Sequence, residues 1–136
     1  MAEDSQHFLF EQLQTIASEK AQKDLLGTWF KGSRTYLDAF TDEVLEVEAE
    51  LDLNRPCFLE DELGDLLWVI ACLLEHLELE GKIHKKQVIS RAFVKYSERV
   101  THRSPIETWD DVKLRQKLRL EREHAQFIMT KHIGKC

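Results

Sequence analysis

Two short acidic motifs, Glu43-x-x-Glu46 and Glu62-x-x-Asp65, are the residues of this chain whose type and spacing could do chemistry, and each is followed by apolar sequence. On a helix, a spacing of three puts both carboxylates of a pair on one face. Asn54, Arg55 and Pro56 lie between the motifs and suit a connection that folds two helices back as a hairpin with their acidic faces toward each other. Four carboxylates would then share one small volume. Like charges a few ångströms apart repel, and a partly desolvated carboxylate resists ionisation, so a bound cation is needed to remove the conflict. All-oxygen ligation suits hard ions. Magnesium, with manganese as the alternative, takes a few carboxylates and keeps its other positions for water or phosphate oxygens, which leaves room for a triphosphate. Acidic pairs three apart also occur on solvated helix faces, and Glu48, Glu50, Glu60 and Asp61 crowd the same regions without needing a role. What sets Glu62 and Asp65 apart is that they lead directly into an apolar run, with Gly64 between them expected to permit close helix approach.

The elements that must position these acids are helical. Phe8, Phe10, Leu13, Ile16 and Ala17 recur near helical spacing, and Gly27 after Leu25 and Leu26 predicts the end of a first helix. Residues 27–35 read as a loop. Tyr36, Leu37, Phe40, Val44, Val47 and Leu51 mark an apolar stripe of a second helix, with Glu43, Glu46 and Glu50 on another. A third helix is predicted over about 59–79. Its run from 66 to 74 is apolar nearly all round, which implies burial on several sides and a dimer interface to supply the cover, and Trp68 within it is expected in the core. Gly81 ends it. Val88, Ile89, Ala92, Phe93, Tyr96 and Val100 give a fourth helix, Ser104-Pro105 interrupts, and 109 to about 124 reads as a charged helix with Leu114, Leu118 and Leu120 as its apolar points. There are no internal repeats.

Composition supports the same class. A 136-residue chain suits one domain, here 1–136 with a charged helical tail from about 105, and five Gly and two Pro leave little for a turn-rich β fold. Net charge of -6 speaks against a nucleic-acid surface and for a cationic partner. Met1 to Gln6 carries acids and no basic region followed by an apolar stretch, and no apolar run is long enough to span a bilayer. The expectation is a soluble, cytoplasmic protein without a membrane partner. Cys57, Cys72 and Cys136 suggest neither a disulfide framework nor a zinc site, and Cys72 is expected to be buried. His76, His84, His102 and His124 show no convergent ligand pattern.

Asp42-Glu43-Val44-Leu45-Glu46, a gap, and Asp61-Glu62-Leu63-Gly64-Asp65-Leu66-Leu67 resemble the MazG-like nucleoside triphosphate pyrophosphohydrolases, whose pattern is E-E-x-x-E followed by E-E-L-G-D-L-L. Trp29 resembles the tryptophan loop of that family, Lys95-Tyr96-x-x-Arg99 its K-F-x-x-R segment, and Trp109-x-x-Val112-Lys113 the W-x-x-I-K tail of longer members, so the likeness runs roughly from Trp29 to Lys117. It departs in three places: Asp42 replaces the first acid, Phe93 and Val94 stand where an Asn often precedes the lysine, and Gly27-Thr28-Trp29-Phe30 replaces C-P-W-D. The resemblance implies an all-α fold of helical hairpins assembled as a four-helix-bundle-type homodimer or homotetramer. By position it implies Glu43, Glu46, Glu62 and Asp65 as magnesium ligands.

It further implies attack of water on the α-phosphorus of a nucleoside triphosphate, releasing monophosphate and pyrophosphate; housecleaning of the nucleotide pool is one role open to such an enzyme. Glu46, expected to sit deepest in its helix pair, is the candidate general base. Lys31, Arg34, Lys95 and Arg99 are candidate phosphate clamps, and Trp29 either stacks a base or caps the core. Rival readings are a phosphoribosyl-ATP pyrophosphohydrolase-like enzyme, a non-catalytic helical interaction module, and a ferritin-like di-metal bundle. The last needs a Glu-x-x-His on each of two helices, and Glu121-x-x-His124 alone fits.

Overall fold

The computed structural model describes residues 5–133, and within them the chain is all helical. Met1 to Asp4 and Cys136 lie outside the described residues. Five α-helices follow in order: α1 (Gln6–Asp24), α2 (Arg34–Glu50), α3 (Pro56–Leu79), α4 (Lys85–Tyr96) and α5 (Trp109–Ile133). A π-helical turn, Ser97–Thr101, continues α4. No described helix is long and apolar enough to cross a membrane. The chain divides into two compact units, residues 1–85 and 86–136.

In the first unit α3 is the central rod, with α1 and α2 packed against it. Ser5 starts α1 by accepting the Phe8 N–H at 3.2 Å, as an N-cap should. Pro56, which suits a connection on sequence grounds, instead opens α3 three residues before the predicted start, because proline lacks only an N–H that the first turn cannot use. Asn54 makes the reversal in a left-handed conformation with φ of 53°, and Gly81 with φ of 74° closes α3. Glu50 is buried and takes both Arg55 Nε and Nη2 at 2.7 Å, with the guanidinium 4.1 Å above the Phe58 ring, so a two-pronged ion pair clamps the α2–α3 turn.

The core of this unit is Ala17, Tyr36, Val69, Ala71, Cys72 and Leu73, with Phe30, Phe40 and Trp68 packed on it. Cys72 is buried as expected, and burial pushes its thiol up to about 11. A polar network crosses the core beside it. Asp24, at the end of α1, is 2.9 Å from His76 Nε2 of α3 and hydrogen-bonds the Tyr36 hydroxyl of α2 and the Lys20 ammonium. Phe30 stacks on the His76 ring at 3.8 Å. Burial alone would raise Asp24, but the bonds from Lys20, Tyr36 and His76 outweigh it and hold the carboxyl below its ordinary value of 3.8. One carboxylate therefore joins all three helices.

In the second unit α5 starts with a capping box: Thr108 Oγ1 accepts the Asp111 N–H at 3.1 Å and Asp111 Oδ2 accepts the Thr108 N–H at 2.9 Å. Asp110 and Asp111 in its first turn and Lys131 and His132 in its last suit the helix dipole, and α5 runs well past the predicted end near 124 because no breaker follows. Arg91 of α4 pairs with Glu123 at 2.6 Å and 3.0 Å, and Glu98 in the π turn pairs with Arg119.

The Asp24 network yields a stability prediction. Asp24→Ala strips a buried partner from His76, Tyr36 and Lys20 and is expected to lower the unfolding free energy by about 3–5 kcal/mol in denaturant titration; a loss below about 1 kcal/mol would deny the network its role. Because the folded-state pKa is depressed, this contribution is complete above pH 3.8 and is lost as pH falls through the folded value.

A candidate metal centre between two helices

The stripe that α2 turns toward α3 reads Tyr36, Phe40, Glu43, Val47 and Glu50, and the facing stripe of α3 reads Glu62, Asp65, Val69, Cys72 and His76. All of these are buried or half-buried. The acids therefore stand at core positions. This revises the expectation of one apolar and one acidic face on α2. Leu37, Val44 and Leu51, assigned to the apolar stripe, point outward at 46%, 42% and 58% exposure, while Glu43 and Glu50 point in. On α3, Leu63, Leu67 and Ile70 likewise remain exposed in the single chain, and Trp68 is half-buried.

The predicted quartet comes together. Glu43, Glu46, Glu62 and Asp65 each place one carboxylate oxygen so that all four lie within 4.8 Å of one another. Among the described residues none of the four has an ion pair to a lysine, arginine or histidine. Glu43 Oε2 and Glu62 Oε2 are withdrawn from solvent with no hydrogen-bond partner. Desolvation, then a hydrogen bond to Glu46, then repulsion from Glu46, Asp65 and Glu62, push Glu43 up to about 7. Desolvation and contact with Glu46 and Asp65 raise Glu62 in the same direction. A compact all-oxygen donor set with two orphaned inward oxygens fits a hard divalent cation.

Two expectations about this site change on inspection. Glu46, placed deepest on sequence grounds, is the most exposed of the four; Glu43 and Glu62 are the withdrawn ones, because α2 rotates Glu43 onto the core stripe and leaves Glu46 at its rim. Gly64 is not there for close approach within the chain, since a Cβ at that position would meet nothing within 4 Å.

The candidate phosphate and base contacts are dispersed. Trp29 is 54% exposed, set edge-on to Tyr36 at 5.2 Å, with the Lys20 ammonium 4.9 Å over its ring. Lys31 is exposed, and its backbone N–H donates to Thr35 Oγ1 at 3.1 Å. Arg34 opens α2 nine residues before Glu43, half a turn round the helix and about 13 Å away in rise, so helix geometry alone does not bring it to the quartet. Lys95 and Arg99 belong to the second unit. Sequence reasoning missed Asp24, whose role is set by contacts 12 and 52 residues away, and Glu50, which it passed over as surplus charge. A carboxylate five residues before an arginine across the predicted turn was the available signal for the latter.

Among known protein families, the profile of the MazG nucleotide pyrophosphohydrolase domain matches residues 31–104. Comparison with curated proteins and with solved structures gave no significant match.

The raised acids set a pH prediction with a definite sign. A folded-state pKa of about 7 against an ordinary 4.5 means that the metal-free fold retains a proton which the unfolded chain gives up inside that window, so metal-free stability falls as pH rises through it. In chelator, the melting temperature is expected to be lower at about pH 7.5 than at about pH 5.5, with millimolar Mg²⁺ restoring more at the higher pH and Glu43→Gln flattening the dependence. An identical response in Glu43→Gln would sever the link to this carboxylate.

Proposed function

We propose that this chain, which belongs to the MazG nucleotide pyrophosphohydrolase family, hydrolyses nucleoside triphosphates, ribo or deoxy, at the α–β phosphoanhydride bond with magnesium as cofactor. The observation that carries this reading is the convergence of Glu43, Glu46, Glu62 and Asp65 without a protein cation among them. A magnesium ion held there would supply neutralisation of the triphosphate charge and activation of water. Manganese has the same oxygen preference.

Three of the carboxylates hold the cation in this proposal: Glu43 and Glu62, whose orphaned oxygens need a partner, and Asp65 beside them. Glu46, exposed at the rim yet within reach of its neighbours, is the group able both to touch the cluster and to face solvent. It accepts the proton of the water that attacks the α-phosphorus, so triphosphate and water yield monophosphate, pyrophosphate and a proton. Trp29 offers an exposed ring face for a base, and Lys31 close to it in the same unit supplies a cation for the phosphates. A homodimer or homotetramer of four-helix-bundle type would cover the outward row Leu63, Leu67 and Ile70 of α3 with Leu37 and Val44 of α2.

The test is pyrophosphate and monophosphate release from a panel of canonical and damaged ribo- and deoxynucleotides, with and without magnesium. Glu46→Gln is expected to lower kcat by about 100-fold or more with KM little changed; wild-type turnover in that variant would remove Glu46 as the base. Absence of pyrophosphate from every nucleotide tried would overturn the hydrolase reading.

A further inference from the structure

The hairpin of α2 and α3 is closed at two places, and the acidic quartet lies between them. On one side is the apolar core, which takes Tyr36 from α2 and Val69, Ala71, Cys72 and Leu73 from α3. On the other side is the turn, and it has no apolar closure, because Leu51, Leu53 and Phe58 are all exposed. From 37 to 68, the stretch that carries all four acids, Glu50 is the only buried residue. Arg55, the residue before α3, takes its two oxygens with Nε and Nη2 at 2.7 Å each. A buried ion pair therefore stands at the turn where packed side chains would be expected.

Repulsion among Glu43, Glu46, Glu62 and Asp65 acts to spread the two helices. Spreading at the core end would expose apolar surface. Spreading at the turn end is opposed chiefly by the Glu50–Arg55 pair, since Val47 and Leu59 beside it are only half-buried. A guanidinium fork fixes both the distance and the orientation of the carboxylate it holds, which a single ammonium does not, and the Phe58 ring 4.1 Å from this one holds the fork in turn. Glu50 stands four residues after Glu46 and seven after Glu43, one and two turns along α2. Where Glu50 is fixed thus sets how far those two acids stand from Glu62 and Asp65.

We infer that Glu50 and Arg55 are positioning residues for the quartet: their pair holds α2 and α3 at the separation at which four carboxylates can share one divalent cation. Neither belongs to the donor set. The inference rests on the cation-binding half of the proposed function and is independent of which bond is hydrolysed. Because the pair is neutral as a whole, its hold is a matter of distance, and that gives its two single variants the same sign.

Calorimetric titration of the nucleotide-free full chain with Mn²⁺ and with Mg²⁺ reads the affinity without turnover. Arg55→Gln and Glu50→Gln are both expected to weaken binding by about fivefold or more, with Arg55→Lys, which keeps the charge and loses the fork, in between. Lys85→Gln breaks the ion pair of buried Glu75 elsewhere in the same unit; it is expected to lower the melting temperature and to bind the cation as wild type does. Tighter binding in Arg55→Gln would mean that the pair acts through charge alone, since loss of the guanidinium leaves the hairpin more negative, and would overturn the inference. So would wild-type affinity in both variants, or an equal loss in Lys85→Gln. Should Arg55→Gln not fold, folded Arg55→Lys must still bind more weakly than wild type, and unchanged affinity there refutes the role. A wild-type chain that binds neither cation would overturn this inference together with the cofactor reading. Cation binding that follows these expectations while no nucleotide releases pyrophosphate would sink the hydrolase reading alone and leave the positioning role standing.

Discussion

Carboxylates set into the stripe that two helices turn toward each other repel more strongly with every water that packing removes, because the medium between them loses its screening. In this chain the conflict is written into the core itself. Glu43, Glu62 and Asp65 occupy the turns where α2 and α3 would otherwise interlock aliphatic side chains, and two of their oxygens have no partner among the described residues. Protonation relieves part of the strain, as the raised Glu43 and Glu62 show, and a divalent cation can relieve the rest. The surrounding architecture follows from that choice. With acids on the inward stripe, Leu37, Val44, Leu63 and Leu67 stand on the exposed faces of α2 and α3.

The two units handle charge in opposite ways. The first concentrates unpaired acids in its interior and neutralises its other buried carboxylates locally, Asp24 with Lys20 and Glu75 with Lys85 at 2.6 Å. In the second, Glu98, Glu107 and Glu123 pair with arginines at the surface, and Lys95, Arg99, Lys113 and Lys117 line a cleft.

Much of this was legible in the sequence, and the rest was hidden for identifiable reasons. Helical periodicity gave all five α-helices, with errors at the ends: Pro56 counted as a breaker although it is harmless in a first turn, and nothing after His124 argued for a stop. The spacing of three in each motif and the break at Asn54 were enough to bring the four acids together, because that geometry is local to one hairpin. What spacing could not supply was rotation about the helix axis. A one-residue difference turns a side chain by about 100°, and on that difference hung whether Glu43 or Glu46 lay inward and whether Leu37 or Tyr36 did. The Asp24 network was out of reach because its partners come from three helices and no short motif announces it.

The Glu50–Arg55 clamp has a mechanical side. Glu43 lies seven residues from Glu50 in one direction and seven from Tyr36 in the other, about 10 Å each way along α2. Both those points are tied across to neighbouring elements, so this stretch behaves as a beam supported at its two ends, with the Glu43 carboxylate at mid-span. Prising it away from α3 means unfastening one support. The stiffness of the acidic cluster is therefore set by residues that stand outside it.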